Sequence, residues 1–398
     1  MESIYKKQER LLRNTTTDFI RSLMHDINWD MRLIGIKGAR GVGKSTLLLQ
    51  YIKLHLNHKL DKVLYVSLDN IWIANQSLYE LADNFVKLGG EHLFIDEVHK
   101  YDNWATEIKN IYDDFPNLKV VFTGSSLLQI LNARADLSRR AITYTMQGLS
   151  YREFLNYELH LNLKKIEFKD ILKNHIAIAR ELLAQIKPLA HFNAYLQYGY
   201  FPFYKESIDL YPFRINEVLN MIIDIELPHL RKVDISYLPK LKQLLAIIAE
   251  SVPFIPNVSK LSAKIGINRN TLVQYLYFLE ESRITNNLYK ANFGISRLQK
   301  PDKIYLENTN FSFAIASKNS NSGNLRETFF INQVAYKHKI NYTKQTDFVV
   351  DNHFYFEIGG KNKTNKQIQD IENAFIVSDD IEIGFKNKIP LWLFGFLY

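Results

Sequence analysis

The chain of 398 residues contains no cysteine. That absence excludes disulfides and thiolate zinc sites. No apolar run approaches the roughly 20 residues that cross a bilayer. The C-terminal stretch from Ile389 to Tyr398 is about half that length and is expected to be a buried last strand. Nothing at the N-terminus resembles a signal peptide, and the chain has neither an internal repeat nor a low-complexity tract. The expectation is a soluble cytoplasmic protein with no membrane partner. Hydrophobic residues make up 46% of the chain, enough for packed interiors at a length that exceeds one core, so two or three domains are expected.

What is present is most specific near the start. Gly38, Ala39, Arg40, Gly41, Val42, Gly43, Lys44 and Ser45 fit GxxxxGK[ST] in full. They follow the apolar run Leu33-Ile34-Gly35-Ile36 and precede a helical pattern that begins at Thr46. A strand that ends in such a loop and continues as a helix cradles phosphate: glycines let backbone N–H groups approach, and the helix N-terminus adds partial positive charge. The expected ligands are ATP and Mg²⁺, with Lys44 on the β and γ oxygens and Ser45 on the cation.

A second run, His92-Leu93-Phe94-Ile95-Asp96-Glu97, reads as a buried parallel strand that delivers two carboxylates to its end. Asp96 is expected to face Mg²⁺ and Glu97 to polarise the attacking water. Further strands are expected over Lys62–Leu68, Lys119–Thr123 and Ala141–Met146, with helices between them. This alternation argues for a doubly wound α/β domain whose ligand lies beyond the carboxyl ends of the strands. Ser125, just past the fourth strand, is either a sensor of the γ-phosphate or the N-cap of the next helix.

Taken together, GARGVGKSTLL, Asp96-Glu97, FTGSS and LSRR, followed by a strand and LSYREF, resemble the bacterial and archaeal AAA-type ATPases that carry a C-terminal domain related to the PD-(D/E)xK nuclease fold. The resemblance implies a P-loop sheet, a helical and winged-helix region, and a small α/β restriction-endonuclease-like domain. The expected segments are 1–155, 156–245, 246–306 and 307–398. It also implies that Arg140, or Arg139 beside it, serves as an arginine finger in a neighbouring copy within a homo-oligomer. A solvated basic turn is the alternative.

The formal net charge is +8, and residues 251–344 account for it with 13 lysines and arginines against 5 acids. A basic block suggests a surface that faces a polyanion. The same region reads as a helix-turn-helix, with a short helix from Val258, a turn at Gly266 and a second helix from Asn268. Leu272, Tyr275, Leu276 and Leu279 share its apolar face, leaving Arg269, Asn270 and Gln274 outward with Lys260 and Lys264 nearby. Leu288–Leu306 is expected to be a wing. DNA is the expected partner, and a lid that packs only on protein is the alternative. The aromatic stretch Tyr195–Phe203 is expected to be core.

In the last segment Asp347, Glu357 and the helix acid Glu327 resemble the acids of the nuclease fold. That chemistry needs a lysine two residues after the second acid, where strand alternation returns to the same face. Gly359 stands there. Lys361 serves only if the glycine pair Gly359-Gly360 bulges, so an inactive nuclease-like domain is expected.

Overall fold

The computed structural model describes residues 1–69, 77–124, 137, 139–290, 300–316 and 322–398. They form two compact units, Met1–Gly148 and Leu149–Tyr398.

The first unit is built on five strands: β1 (Leu33–Lys37), β2 (Val63–Ser67), β3 (His92–Asp96), β4 (Lys119–Gly124) and β5 (Ile142–Thr145). They pair in the order β2-β3-β4-β1-β5, every neighbour parallel. Parallel pairing requires crossovers, and the helices that supply them cover the sheet; β1 to β4 are therefore apolar almost throughout. The helices Leu78–Lys87 and Trp104–Asp114 send Phe85, Trp104, Ile108 and Ile111 into one core with Leu64, Leu93 and Val120. The edge strand β2 is closed by the N-terminal helix Glu2–Asn14. Gln8 on that helix donates to the Val63 carbonyl at 3.1 Å and accepts from the Tyr65 N–H at 2.7 Å, so a side chain occupies edge groups that would otherwise invite another strand.

The chain passes into the second unit after Gly148, ahead of the boundary at 155 read from the sequence. The helix Tyr151–Leu159 belongs to the second core because the Tyr151 ring lies 5.2 Å from Phe192 and 5.3 Å from Tyr195. That unit continues through the helices Phe168–Leu183, Pro188–Tyr198, Tyr211–Asn220 and Leu238–Glu250. The aromatic stretch after Tyr195 is interior, with Tyr195, Tyr200 and Phe201 all buried.

Next come the helix pair Val258–Ile265 and Arg269–Glu281, joined through Gly266 at a φ of 71°. Asn268 caps the second helix by accepting from the Thr271 N–H. An antiparallel ribbon follows, β6 (Thr285–Leu288) with β7 (Lys303–Leu306). Leu288 thus ends the first ribbon strand, where the sequence suggested that the wing began.

The chain closes on a mixed sheet in the order β12-β11-β10-β9-β8. Its strands are β8 (Ile340–Tyr342), β9 (Phe348–Val350), β10 (Phe354–Gly359), β11 (Ala374–Ser378) and β12 (Lys388–Pro390). The expected last strand over Ile389–Tyr398 is corrected. Only its first residues extend β12, and Leu391–Phe396 form a buried 3₁₀ helix. A run that is apolar on every side carries no periodicity to separate the two conformations.

Trp104 is 2% exposed and its ring lies 5.5 Å from Phe122. Trp104→Ala should cost about 3–5 kcal/mol, read as a lowered urea midpoint for the first unit.

Candidate functional site

The phosphate loop hangs from the carboxyl end of β1, where residues 38–43 lead into the helix Lys44–His55. Gly41 and Gly43 adopt φ of 83° and 100°, values that side chains with a Cβ rarely reach. Gly38 is required for another reason: a Cβ there would stand 2.2 Å from the Met146 carbonyl oxygen. Behind the loop, the buried Arg21 guanidinium donates to the carbonyls of Val42 (2.7 Å), Gln147 (2.8 Å) and Gly148 (2.9 Å). Lys44 is 4% exposed and folds back on its own loop, its Nζ donating to the Gly38 and Ala39 carbonyls at 3.0 and 2.9 Å.

Beside the loop, β3 presents Asp96, 3% exposed. Tyr65 Oη donates to Asp96 Oδ2 at 2.8 Å, and Thr123 Oγ1 donates to Asp96 Oδ1. Thr123 in turn accepts from the Glu97 N–H at 3.1 Å. Glu97 takes a left-handed φ of 57°, which turns its side chain away from the strand direction. Burial raises its carboxyl above the ordinary range, with Asp96 and Asp69 adding and Lys44 and Arg40 opposing. His99 Nε2 stands 3.3 Å from Glu97 Oε2. A hydroxyl and a buried carboxylate are hard oxygen donors of the kind that magnesium takes, and a carboxylate of raised basicity suits a general base.

Sequence spacing pointed to Lys44, Ser45, Asp96 and Glu97. It missed Tyr65, Thr123, His99 and Arg21, whose roles come from contacts across neighbouring strands and loops. Thr123 did carry a signal, standing at the carboxyl end of the strand beside β3; the sequence placed weight two residues later, on Ser125, which lies outside the described residues. Arg140 precedes β5 and forms a two-point pair with Asp113, with Nε and Nη2 at 2.8 and 2.9 Å from its carboxylate oxygens. That pairing holds Asp113 below the usual carboxylate range. Both groups sit at the amino ends of β4 and β5, opposite the end of the sheet that carries the phosphate loop.

In the second unit Lys260, Lys264, Arg269, Asn270 and Gln274 are all exposed on the paired helices, while Leu272, Tyr275, Leu276 and Leu279 are buried beneath them. Arg269 donates to Ser259 Oγ, which ties the start of the second helix to the first.

Glu327, Asp347 and Glu357 come together around the β9–β10 hairpin. Ile358 N–H donates to Asp347 Oδ2 at 2.9 Å, and Asp347 N–H donates to Glu357 Oε2 at 3.2 Å. Tyr305 donates to Glu327. Burial, then the neighbouring carboxylate, raises the pKa of Glu327; burial is also the first cause for Asp347, where Glu357 adds.

Lys361 is corrected: it is exposed, and Lys363 supplies the ammonium, its Nζ 2.6 Å from Glu357 Oε1. No bulge is involved, since β10 pairs with β11 in unbroken register through Gly359 and Ser378. Gly359 instead leaves room for the Lys363 stem, whose Cδ, Cβ and Cγ would stand 2.8–2.9 Å from a Cβ at that position. Among the described residues, no group of three His, Cys, Asp or Glu side chains is arranged to hold a metal ion.

Comparison with known proteins agrees with the first sheet. Residues 30–155 match the family described as AAA domain, and residues 189–321 match a domain of unknown function (DUF8612). The uncharacterized protein MJ1637 of Methanocaldococcus jannaschii is 26% identical over 284 residues, which are 68% of this chain and 60% of that relative. Among solved structures, the Walker-type ATPase PABY2304 of Pyrococcus abyssi aligns with a TM-score of 0.40 at 15% identity, over 79% of this chain and 95% of its own. The Aeropyrum pernix ORC1 protein, solved in complex with DNA, aligns at 0.32 and 11% identity, over 79% and 92%.

The packing of Lys363 over Gly359 is directly testable. Gly359→Ala should cost about 1–3 kcal/mol by overpacking. In a Lys363→Gly background, which removes all three clashing atoms, the same change should cost less than half as much, measured by urea denaturation of all four proteins.

Proposed function

We propose that this chain, whose residues 30–155 are an AAA-type P-loop domain on a five-stranded parallel sheet, binds and hydrolyses ATP with magnesium. One observation carries the proposal: the phosphate loop ends beside two carboxylates, the buried Asp96 and the Glu97 that follows it, at the same edge of one sheet. The backbone of residues 38–46 lines the phosphates: Gly38, Ala39, Arg40, Gly41, Val42, Gly43, Lys44, Ser45 and Thr46. Phosphate competes for the Lys44 ammonium far better than the Gly38 and Ala39 carbonyls, because the new bonds are between charged groups. Ser45 and Asp96 would hold the magnesium, which when bound neutralises phosphate charge. Glu97 accepts a proton from the attacking water, and Thr123 fixes the Glu97 backbone and Asp96 together. Arg140 serves a neighbouring copy once released from Asp113, with Arg139 as the exposed alternative.

Lys44→Ala should weaken ATP binding by about tenfold or more, the value of a charge-assisted contact. Glu97→Gln should bind ATP as the parent does and turn it over at less than about one tenth of the parent rate, since an amide fits the space but accepts no proton. Isothermal titration and a phosphate-release assay check the two.

The exposed basic helix pair and the charge concentrated in residues 251–344 support DNA as the partner that the ATPase serves. Contacts from Lys260, Lys264 and Arg269 would act through phosphates, with Asn270 and Gln274 nearest the base edges. ATP turnover should rise on adding DNA, and DNA affinity should fall steeply with salt. Reversing the three charges should abolish both effects; binding that is flat with salt, or untouched by the reversal, favours a nucleotide-gated adaptor for protein partners.

The position of Lys363 favours one further reading, ATP-regulated cleavage of DNA at Glu327, Asp347 and Glu357. Against it, these carboxylates already accept from two backbone N–H groups, a tyrosine and a lysine. Plasmid should therefore stay intact with Mg²⁺ or Mn²⁺; cutting that is lost in both Asp347→Ala and Lys363→Ala would establish the nuclease.

A further inference from the structure

Strand β2 carries a tyrosine, Tyr65, at a position that is 5% exposed and surrounded by the sheet. A phenol buried so deeply needs hydrogen-bond partners. Its hydroxyl meets that need inside the candidate magnesium site, where Tyr65 Oη donates to Asp96 Oδ2 at 2.8 Å. Its backbone is fixed by Gln8, which accepts from the Tyr65 N–H at 2.7 Å, so the ring approaches the site from a braced strand.

A carboxylate only accepts, so the single phenolic hydrogen goes to Asp96. Tyr65 thereby holds the carboxylate oxygen of Asp96 that Thr123 leaves free. Hydrogen bonds of this kind orient a carboxylate that ligates a cation.

We infer that Tyr65 is a positioning residue for the magnesium–nucleotide complex, orienting Asp96 through its phenol without touching the nucleotide itself. The inference rests on the proposed nucleotide site. Its effect is on the metal-dependent part of nucleotide affinity, which distinguishes it from a packing role: a ring that only filled space would affect binding equally with and without the cation.

The test measures the affinity of the full-length chain for a fluorescent ATP analogue in EDTA and across a Mg²⁺ titration. The proteins compared are the parent, Tyr65→Phe and Thr123→Ala. Tyr65→Phe keeps the ring. Its affinity in EDTA should stay within about twofold of the parent, which also reports an intact fold, while the enhancement by Mg²⁺ should drop by about tenfold, as expected for a hydrogen bond to a charged group. Thr123→Ala, which removes the hydroxyl on the other oxygen of Asp96, should likewise lower the enhancement. An unchanged Mg²⁺ response in Tyr65→Phe, or equal losses with and without the cation, overturns this inference and leaves the nucleotide site standing. A parent that binds no nucleotide in either condition overturns both.

Discussion

A carboxylate taken out of water is stable only where hydrogen bonds replace its hydration, and Asp96 meets that condition at the end of β3. Its two oxygens are held by hydroxyls from the strands on either side, Tyr65 on β2 and Thr123 on β4. The order β2-β3-β4 is what makes this arrangement available, since each flanking strand ends level with Asp96. The same order brings β1 next to β4 and so carries the phosphate loop to the same edge of the sheet. An unsatisfied charge at Asp96 would cost several kcal/mol, enough to destabilise a domain of this size. The sheet and the site therefore depend on the same few bonds.

Much of the first unit was legible in the sequence because its signals are local. The phosphate loop is a contiguous string, Asp96 and Glu97 end an apolar run, and β2, β4 and β5 are apolar segments of strand length. The helix pair from Val258 was legible for the same reason: an αL glycine at 266 and an asparagine cap at 268 are written in adjacent residues. The features that were not legible are contacts between distant segments. Nothing near Tyr65 names Asp96 as its partner, and Arg21 meets residues 147 and 148 only through the fold.

Lys363 shows a subtler limit. The rule that a functional lysine follows its acid by two residues assumes that the strand itself delivers it. Here the strand ends, the chain turns, and the lysine returns over the vacancy that Gly359 leaves. A glycine at the expected position therefore marked the route of a side chain from further along the chain. The segment after Ile389 failed for the opposite reason, since residues buried on every side give no alternation from which to choose between strand and 3₁₀ helix.

Arg21 has a consequence of its own. Its guanidinium holds the Val42 carbonyl of the phosphate loop and the carbonyls of Gln147 and Gly148 in a single rigid fork, and Gly38 packs against Met146 beside it. Loop and exit segment thus form one mechanical element. Two sites that share such an element are bound by thermodynamic reciprocity: whatever free energy a bound phosphate spends in stiffening residues 146–148 is returned as tighter phosphate binding when those residues are stiffened by other means.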